Sequence, residues 1–195
     1  MKQEIEIKRK VFEVIEDLGE RSKKITRKGK YYFLKDFASR SEEFSQYVDN
    51  SKKLENSGVR APKIYIFDKN KHIIVEEFID GDTVLDTLIK EDLPEVYIEQ
   101  IYLMNWYMKK DKFAIDFDPA NFKFDNGKLF YIGNKIKKYD EKYSFQKMGV
   151  WYWFYTKDFV DYLKAHKLPI DSKRSNVDQG VLNKQIALLT VKYYH

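Results

Sequence analysis

The stretch Ile115-Asp116-Phe117-Asp118-Pro119-Ala120-Asn121 holds the residue types in this chain best suited to chemistry. A carboxylate such as Asp116 can accept a proton from an attacking hydroxyl, and a carboxamide oxygen such as that of Asn121 can coordinate a hard cation. Asp118 adds a second carboxylate, readable as a surface residue or as a substitute metal ligand. The same residue types also build ordinary turns, so a purely structural loop is the competing reading. A hairpin pattern follows: Phe122-Lys123-Phe124, the turn Asp125-Asn126-Gly127-Lys128, then Leu129-Phe130-Tyr131-Ile132, ending at Gly133.

Elements that position this loop can be read along the chain. Residues 5–18 alternate around Val11, Phe12, Val14 and Ile15 and predict a strand. Gly19–Lys24 interrupts it, Ile25-Thr26-Arg27 resumes, and Lys28-Gly29-Lys30 turns into the apolar strand Tyr31–Phe37, which carries Lys35. A helix is expected from Ser41 as N-cap, with Phe44, Tyr47, Val48, Ser51 and Leu54 at helical spacing and Gly58 and Pro62 ending it. Lys63–Phe67 and His72–Phe78 read as strands around Asp68–Lys71. Beyond Gly81 come a short helix around Val84, Leu85 and Leu88, and a longer one carrying the stripe Tyr97, Ile101, Met104 and Met108, expected as core. An aromatic helix over Phe145–Leu163 and a last helix from Val181 to about Tyr194 follow the hairpin.

At 195 residues the chain can form one domain or two small lobes. With 43% hydrophobic and 34% charged residues, its composition is that of a globular protein. No apolar run approaches the roughly 18 residues that span a bilayer, so no membrane association is expected. The start Met1–Glu6 has no apolar signal core, and the absence of cysteine fits a cytoplasmic location while excluding disulfides and thiolate metal sites. His72, His166 and His195 are isolated from one another in sequence. The net charge of +5 favours anionic ligands modestly. A basic, tyrosine-rich nucleic-acid-binding module is the weakest reading, because the charge is spread along the chain and most aromatics sit at periodic core positions.

Taken in order, roughly residues 10 to 135 resemble the protein-kinase-like fold, most closely its bacterial aminoglycoside and choline phosphotransferase branch. That resemblance implies an α+β, two-lobed protein: a small antiparallel-sheet N-lobe over 1–80 with one helix, and a compact, mainly helical C-lobe over 81–195, with nucleotide bound between the lobes. Asp116 resembles the catalytic base and Asn121 the metal ligand, while Ala114 replaces the usual histidine two residues earlier. Lys35 stands for the strand lysine that meets the nucleotide phosphates, the alternative being an exposed strand lysine. Phe33, two residues earlier, looks like the ring that stacks on adenine, the alternative being a core residue. Ser22 and nearby backbone N–H groups stand where a glycine-rich phosphate loop belongs. Val75–Gly81 looks like the hinge, with backbone groups of Glu77 and Ile79 on the adenine edge.

Two departures accompany the likeness. The helix should carry a glutamate for Lys35, yet only Asp49 is near the right place, with Glu42 and Glu43 too early. Gly133 stands where the metal-binding Asp belongs, so the ATP that the family implies is expected with its Mg2+ in doubt. Two functions follow: an ATP-dependent phosphotransferase acting on an unknown hydroxyl acceptor, or a pseudokinase acting as a binding or regulatory protein through a protein partner. Neither implies an oligomeric state.

Overall fold

A computed structural model describes residues 3–19, 21–176 and 178–193. Met1 and Lys2 at the expected signal-free start, Glu20 of the candidate phosphate turn, Tyr194 at the expected end of the last helix, and His195 lie outside the described residues. The protein is α+β. Its chain forms two compact units, Met1–Asn56 with Ala61–Ile79, and Ser57–Arg60 with Asp80–His195.

The first unit is a curled antiparallel sheet of six strands: β1 (Glu4–Ile7), β2 (Lys10–Gly19), β3 (Ser22–Arg27), β4 (Lys30–Asp36), β5 (Ile64–Asp68) and β6 (Ile73–Glu77), in the order β1-β2-β3-β4-β6-β5. The single strand expected over 5–18 is in fact a hairpin. Ile7 pairs with Lys10, and Lys8 and Arg9 between them both take positive φ, 47° and 62°. Two positive φ angles make the mirror-image turn whose twist suits a tight hairpin. Neither residue has turn chemistry, so the alternating pattern runs straight through it. Register shifts in β2 between Val14 and Glu16 and between Asp17 and Gly19 add local bends. Strand alternation in β4 sends Tyr32 and Leu34 to the core with Phe12, Ile25 and Val75, and Phe33 and Lys35 to the opposite face.

Helix α1 (Ser41–Ser57) starts at Ser41 itself, with the Arg40 carbonyl accepting the Phe44 N–H at 3.0 Å. Glu42 and Glu43 place negative charge in its first turn, where the helix dipole favours it. Phe44 and Leu54 are buried. Phe44 also meets Phe37 edge-on, with ring centroids 5.8 Å apart, and lies against His72 at 5.3 Å.

In the second unit, α2 (Val84–Lys90) begins in a reciprocal cap: Asp86 N–H donates to the Thr83 hydroxyl and Thr83 N–H to the Asp86 carboxylate, both at 3.0 Å. Helix α3 (Glu95–Lys110) buries Ile101, Met104 and Met108, while Tyr97 stacks on Phe124 at 3.9 Å. The expected hairpin is present as β8 (Phe122–Asp125) and β9 (Lys128–Tyr131), turning at Asn126 and Gly127 with positive φ at both. A second pair was not expected: β7 (Phe113–Ile115) with β10 (Ile136–Lys138). Strands this short show no periodicity to read.

The helix expected over Phe145–Leu163 is broken. A 3₁₀ turn at Gly149–Tyr152 comes first, and α4 (Lys157–Ala165) starts only after Thr156, whose hydroxyl accepts the Phe159 N–H at 3.2 Å. Gly149 is packed so closely that a Cβ there would lie 2.8 Å from Phe117 Cβ and Phe145 Cδ2. The segment instead buries its rings one by one, with Phe145, Trp153 and Phe159 fully enclosed. The short α5 (Ser172–Ser175) and then α6 (Gln179–Tyr193) complete the described chain.

Phe159 lies edge-on to Tyr155 at 5.5 Å and parallel to Tyr162 at 6.1 Å. Phe159→Ala should cost roughly 3–5 kcal/mol through lost burial and a residual cavity. Thermal unfolding of the variant checks this, and an unchanged melting temperature would contradict the packing described.

Candidate functional site

The sequence-predicted residues divide between the units: Ser22, Phe33, Lys35, Glu77 and Ile79 belong to the first, Asp116 and Asn121 to the second. Within the first unit, register sorts them by face. Lys35 stands opposite Ser22 on one side and Ile74 on the other, and Phe33 opposite Lys24 and Glu76. Directly opposed residues share a face. Ser22, Lys24, Phe33, Lys35 and Glu76 are therefore together on the face away from the apolar core, and Phe33 is half-buried there rather than a member of that core.

Lys35 is not an exposed strand lysine. Its ammonium lies 3.1 Å from Glu76 Oε1 and donates to the Tyr47 hydroxyl, which in turn donates to Glu76 Oε2 at 2.8 Å. It also sits over two rings, 4.3 Å from the centroid of Tyr47 and 5.2 Å from that of Phe33. The Glu76 side chain is 3% exposed, the Lys35 side chain 22%. A carboxylate that deep persists only when paired and hydrogen-bonded, and here both oxygens are engaged. The partner expected from the helix is thus supplied by β6. Asp49, Glu42 and Glu43 are all exposed, because burial of Phe44 and Leu54 turns the Tyr47 face of α1 to the sheet. Glu76 at the end of the apolar run Ile73-Ile74-Val75 gave no sign in sequence that set it apart from its neighbour Glu77.

The remaining predicted groups of this unit are held by their neighbours. Glu77 N–H donates to the Lys63 carbonyl at 2.8 Å, and Ile79 is buried. In the turn before Ser22, the Asp17 carboxylate accepts Gly19 N–H at 3.0 Å and the Lys23 ammonium at 2.5 Å. Lys23 and the Gly19 N–H hold the Asp17 carboxyl below its usual pKa. Lys24 places its ammonium 4.3 Å from the Phe78 ring centroid.

In the second unit, Asp116 follows β7 directly and its Oδ1 accepts Asp118 N–H at 3.2 Å, which orients the carboxylate. Asp118 is a capping residue. Its Oδ1 accepts Ala120 N–H at 2.9 Å and the Tyr162 hydroxyl at 3.1 Å, anchoring the 3₁₀ turn Pro119–Asn121 to α4. The loop is further fixed by the buried Trp153 indole N–H, which donates to the Phe117 carbonyl at 2.8 Å. Asn121 has both backbone groups tied, its N–H to Asp118 and its carbonyl to Ile132 N–H. Asp116 lines a cavity of about 310 Å3 together with Phe117, Lys137, Tyr143, Tyr152 and Tyr162.

Gly133 has a steric cause that no sequence pattern reveals. A Cβ at that position would lie 2.7 Å from Cε2, Cζ and the hydroxyl oxygen of Tyr131, nearer than real side chains approach. Tyr131 is fully buried, and its hydroxyl donates to the Lys135 carbonyl at 3.1 Å and accepts the Lys135 N–H at 3.2 Å. Burial raises the pKa of this phenol, only partly offset by hydrogen bonding from the Asp116 and Lys135 backbone, so it stays protonated. Magnesium takes anionic oxygens in a near-octahedral shell. Position 133, a glycine packed against a neutral phenol, offers that ion no anionic oxygen, and among the described residues no group of three or more His, Cys, Asp or Glu is placed to hold a metal.

No protein-family model matches this chain, and no curated protein is significantly similar to it.

Two tests follow from this geometry. Introducing a side chain with Gly133→Ala should overpack the Tyr131 contact and cost roughly 1–3 kcal/mol, read as a lower melting temperature. Gly133→Asp should do the same without creating magnesium-dependent nucleotide binding, even though φ at 133 is not positive. Tyr162 gives a pH signature. Burial and the adjacent Asp118 charge push its phenol up to about 12 from 10.0. The folded state then keeps a proton that the unfolded state loses, so stability falls as pH rises from about 10 to about 12. Tyr162→Phe should make that alkaline decline shallower in chemical-unfolding titrations.

Proposed function

We propose that this chain is a degenerate kinase-like protein that binds a nucleotide without a metal-assisted phosphoryl transfer. In this reading Lys35 meets the phosphates, Phe33 the base, and the neighbouring Lys24 adds a second positive charge on the same sheet face. The observation that supports this reading is the Tyr131 ring, packed where any side chain at 133 would begin. Without an anionic ligand there, charge on a polyphosphate is neutralised by ammonium groups rather than by magnesium.

The second reading is an ATP-dependent phosphotransferase, favoured by the cavity beside Asp116. A volume of about 310 Å3 walled by Phe117, Tyr143, Tyr152 and Tyr162 is the size of a small-molecule site. Asp116 would there accept the proton of an acceptor hydroxyl.

Calorimetric titration with ATP in magnesium and in EDTA separates the two. The degenerate reading expects equal affinity in both, with ATP consumption at background. Magnesium-dependent binding, with turnover that Asp116→Asn abolishes while ATP affinity is kept, would establish the phosphotransferase instead. Absence of ATP binding under either condition would remove the nucleotide from the account altogether.

A further inference from the structure

We propose that Glu76 is the positioning residue for Lys35, and that the sheet, not helix α1, supplies the acid that sets the lysine for a phosphate. The inference rests on the nucleotide reading given above. In protein kinases the equivalent lysine is paired by a helix glutamate, so the position of that helix controls whether the pair exists. Here the carboxylate stands on β6, the strand hydrogen-bonded to β4. Phe33 opposite Glu76 and Lys35 opposite Ile74 fix the spacing of acid and lysine by backbone register. A shift of α1 leaves that register untouched.

The helix contributes one residue to the arrangement, Tyr47, whose ring lies under the ammonium and whose hydroxyl accepts from Lys35 and donates to Glu76 Oε2. An ammonium has three N–H donors. Glu76 Oε1 and the Tyr47 hydroxyl account for two of them. The carboxylate is buried at 3% exposure whereas the lysine side chain keeps 22%, so the remaining donor has the exposed side on which to meet a ligand. An anionic oxygen of a nucleoside polyphosphate is the ligand this suits: it completes the ammonium's set without displacing the buried pair. The pairing is permanently assembled, and nucleotide affinity should not respond to what happens on the outer face of α1.

The test compares ATP with adenosine, because a positioning role for Lys35 appears only in the phosphate-dependent part of binding. Isothermal titration on the full chain should show Glu76→Gln and Lys35→Met each losing about tenfold or more of the ATP-over-adenosine preference, the size of a charge-assisted hydrogen bond. Adenosine affinity should stay within about twofold, which general structural damage would not spare. The double variant should lose no more than Lys35→Met alone. Tyr47→Phe, which removes only the helix's hydroxyl, should retain most of the preference. Should Glu76→Gln fold poorly, Glu76→Asp keeps the charge, shortens its reach, and should give a partial loss. An unchanged preference in the Glu76 variants overturns the proposal, as does a Tyr47→Phe loss equal to that of Glu76→Gln. Failure of the nucleotide reading looks different: the native chain would then bind neither ATP nor inorganic triphosphate.

Discussion

A carboxylate buried inside a sheet is the constraint around which the first unit is arranged. Glu76 lies at the end of an apolar strand with almost no access to water, and an unpaired charge in that setting is far too costly to keep. It therefore requires a cation on the neighbouring strand and a hydroxyl from the layer above, and Lys35 and Tyr47 meet both demands. Tyr47 in turn fixes which side of α1 faces the sheet, alongside the rings of Phe37 and Phe44. One buried acid thus links strand register, helix rotation and the orientation of the Lys35 ammonium.

The second unit depends instead on the packing of rings beneath a polar loop. Trp153, Phe145 and Phe117 contact one another or the loop backbone, and Tyr162 reaches Asp118 from α4. Residues from 145 to 156 are thereby drawn into short turns that follow the loop's underside, and the helix α4 begins only at Lys157. Asp116 gains a fixed orientation from this support, while Asp118 is tied to the Ala120 N–H and the Tyr162 hydroxyl.

What was legible in the sequence was whatever repeats locally. The β8–β9 hairpin, the α3 stripe and the placement of Phe33 and Lys35 on one face all follow from periods of two or 3.6 residues. The turn at Lys8-Arg9 carried no such sign, and neither did the three-residue strands β7 and β10, which exist only because they pair with each other. At the site, Asp49 looked suitable by position along the helix, but the face that α1 presents is decided by tertiary packing. Glu76 needed the register of β4 against β6, which no single strand contains. Gly133 was visible as a departure from the kinase-like pattern, whereas its cause lay in a ring two residues away.

That contact between Gly133 and Tyr131 also bears on how such a chain can change through time. Replacing the glycine first meets a closed wall, and replacing the tyrosine first removes a fully buried ring and its two hydrogen bonds to Lys135. Each single step is expected to lower stability, by overpacking in the first case and by a cavity in the second. The two positions are therefore coupled, and the order in which they change decides whether stability is kept along the way.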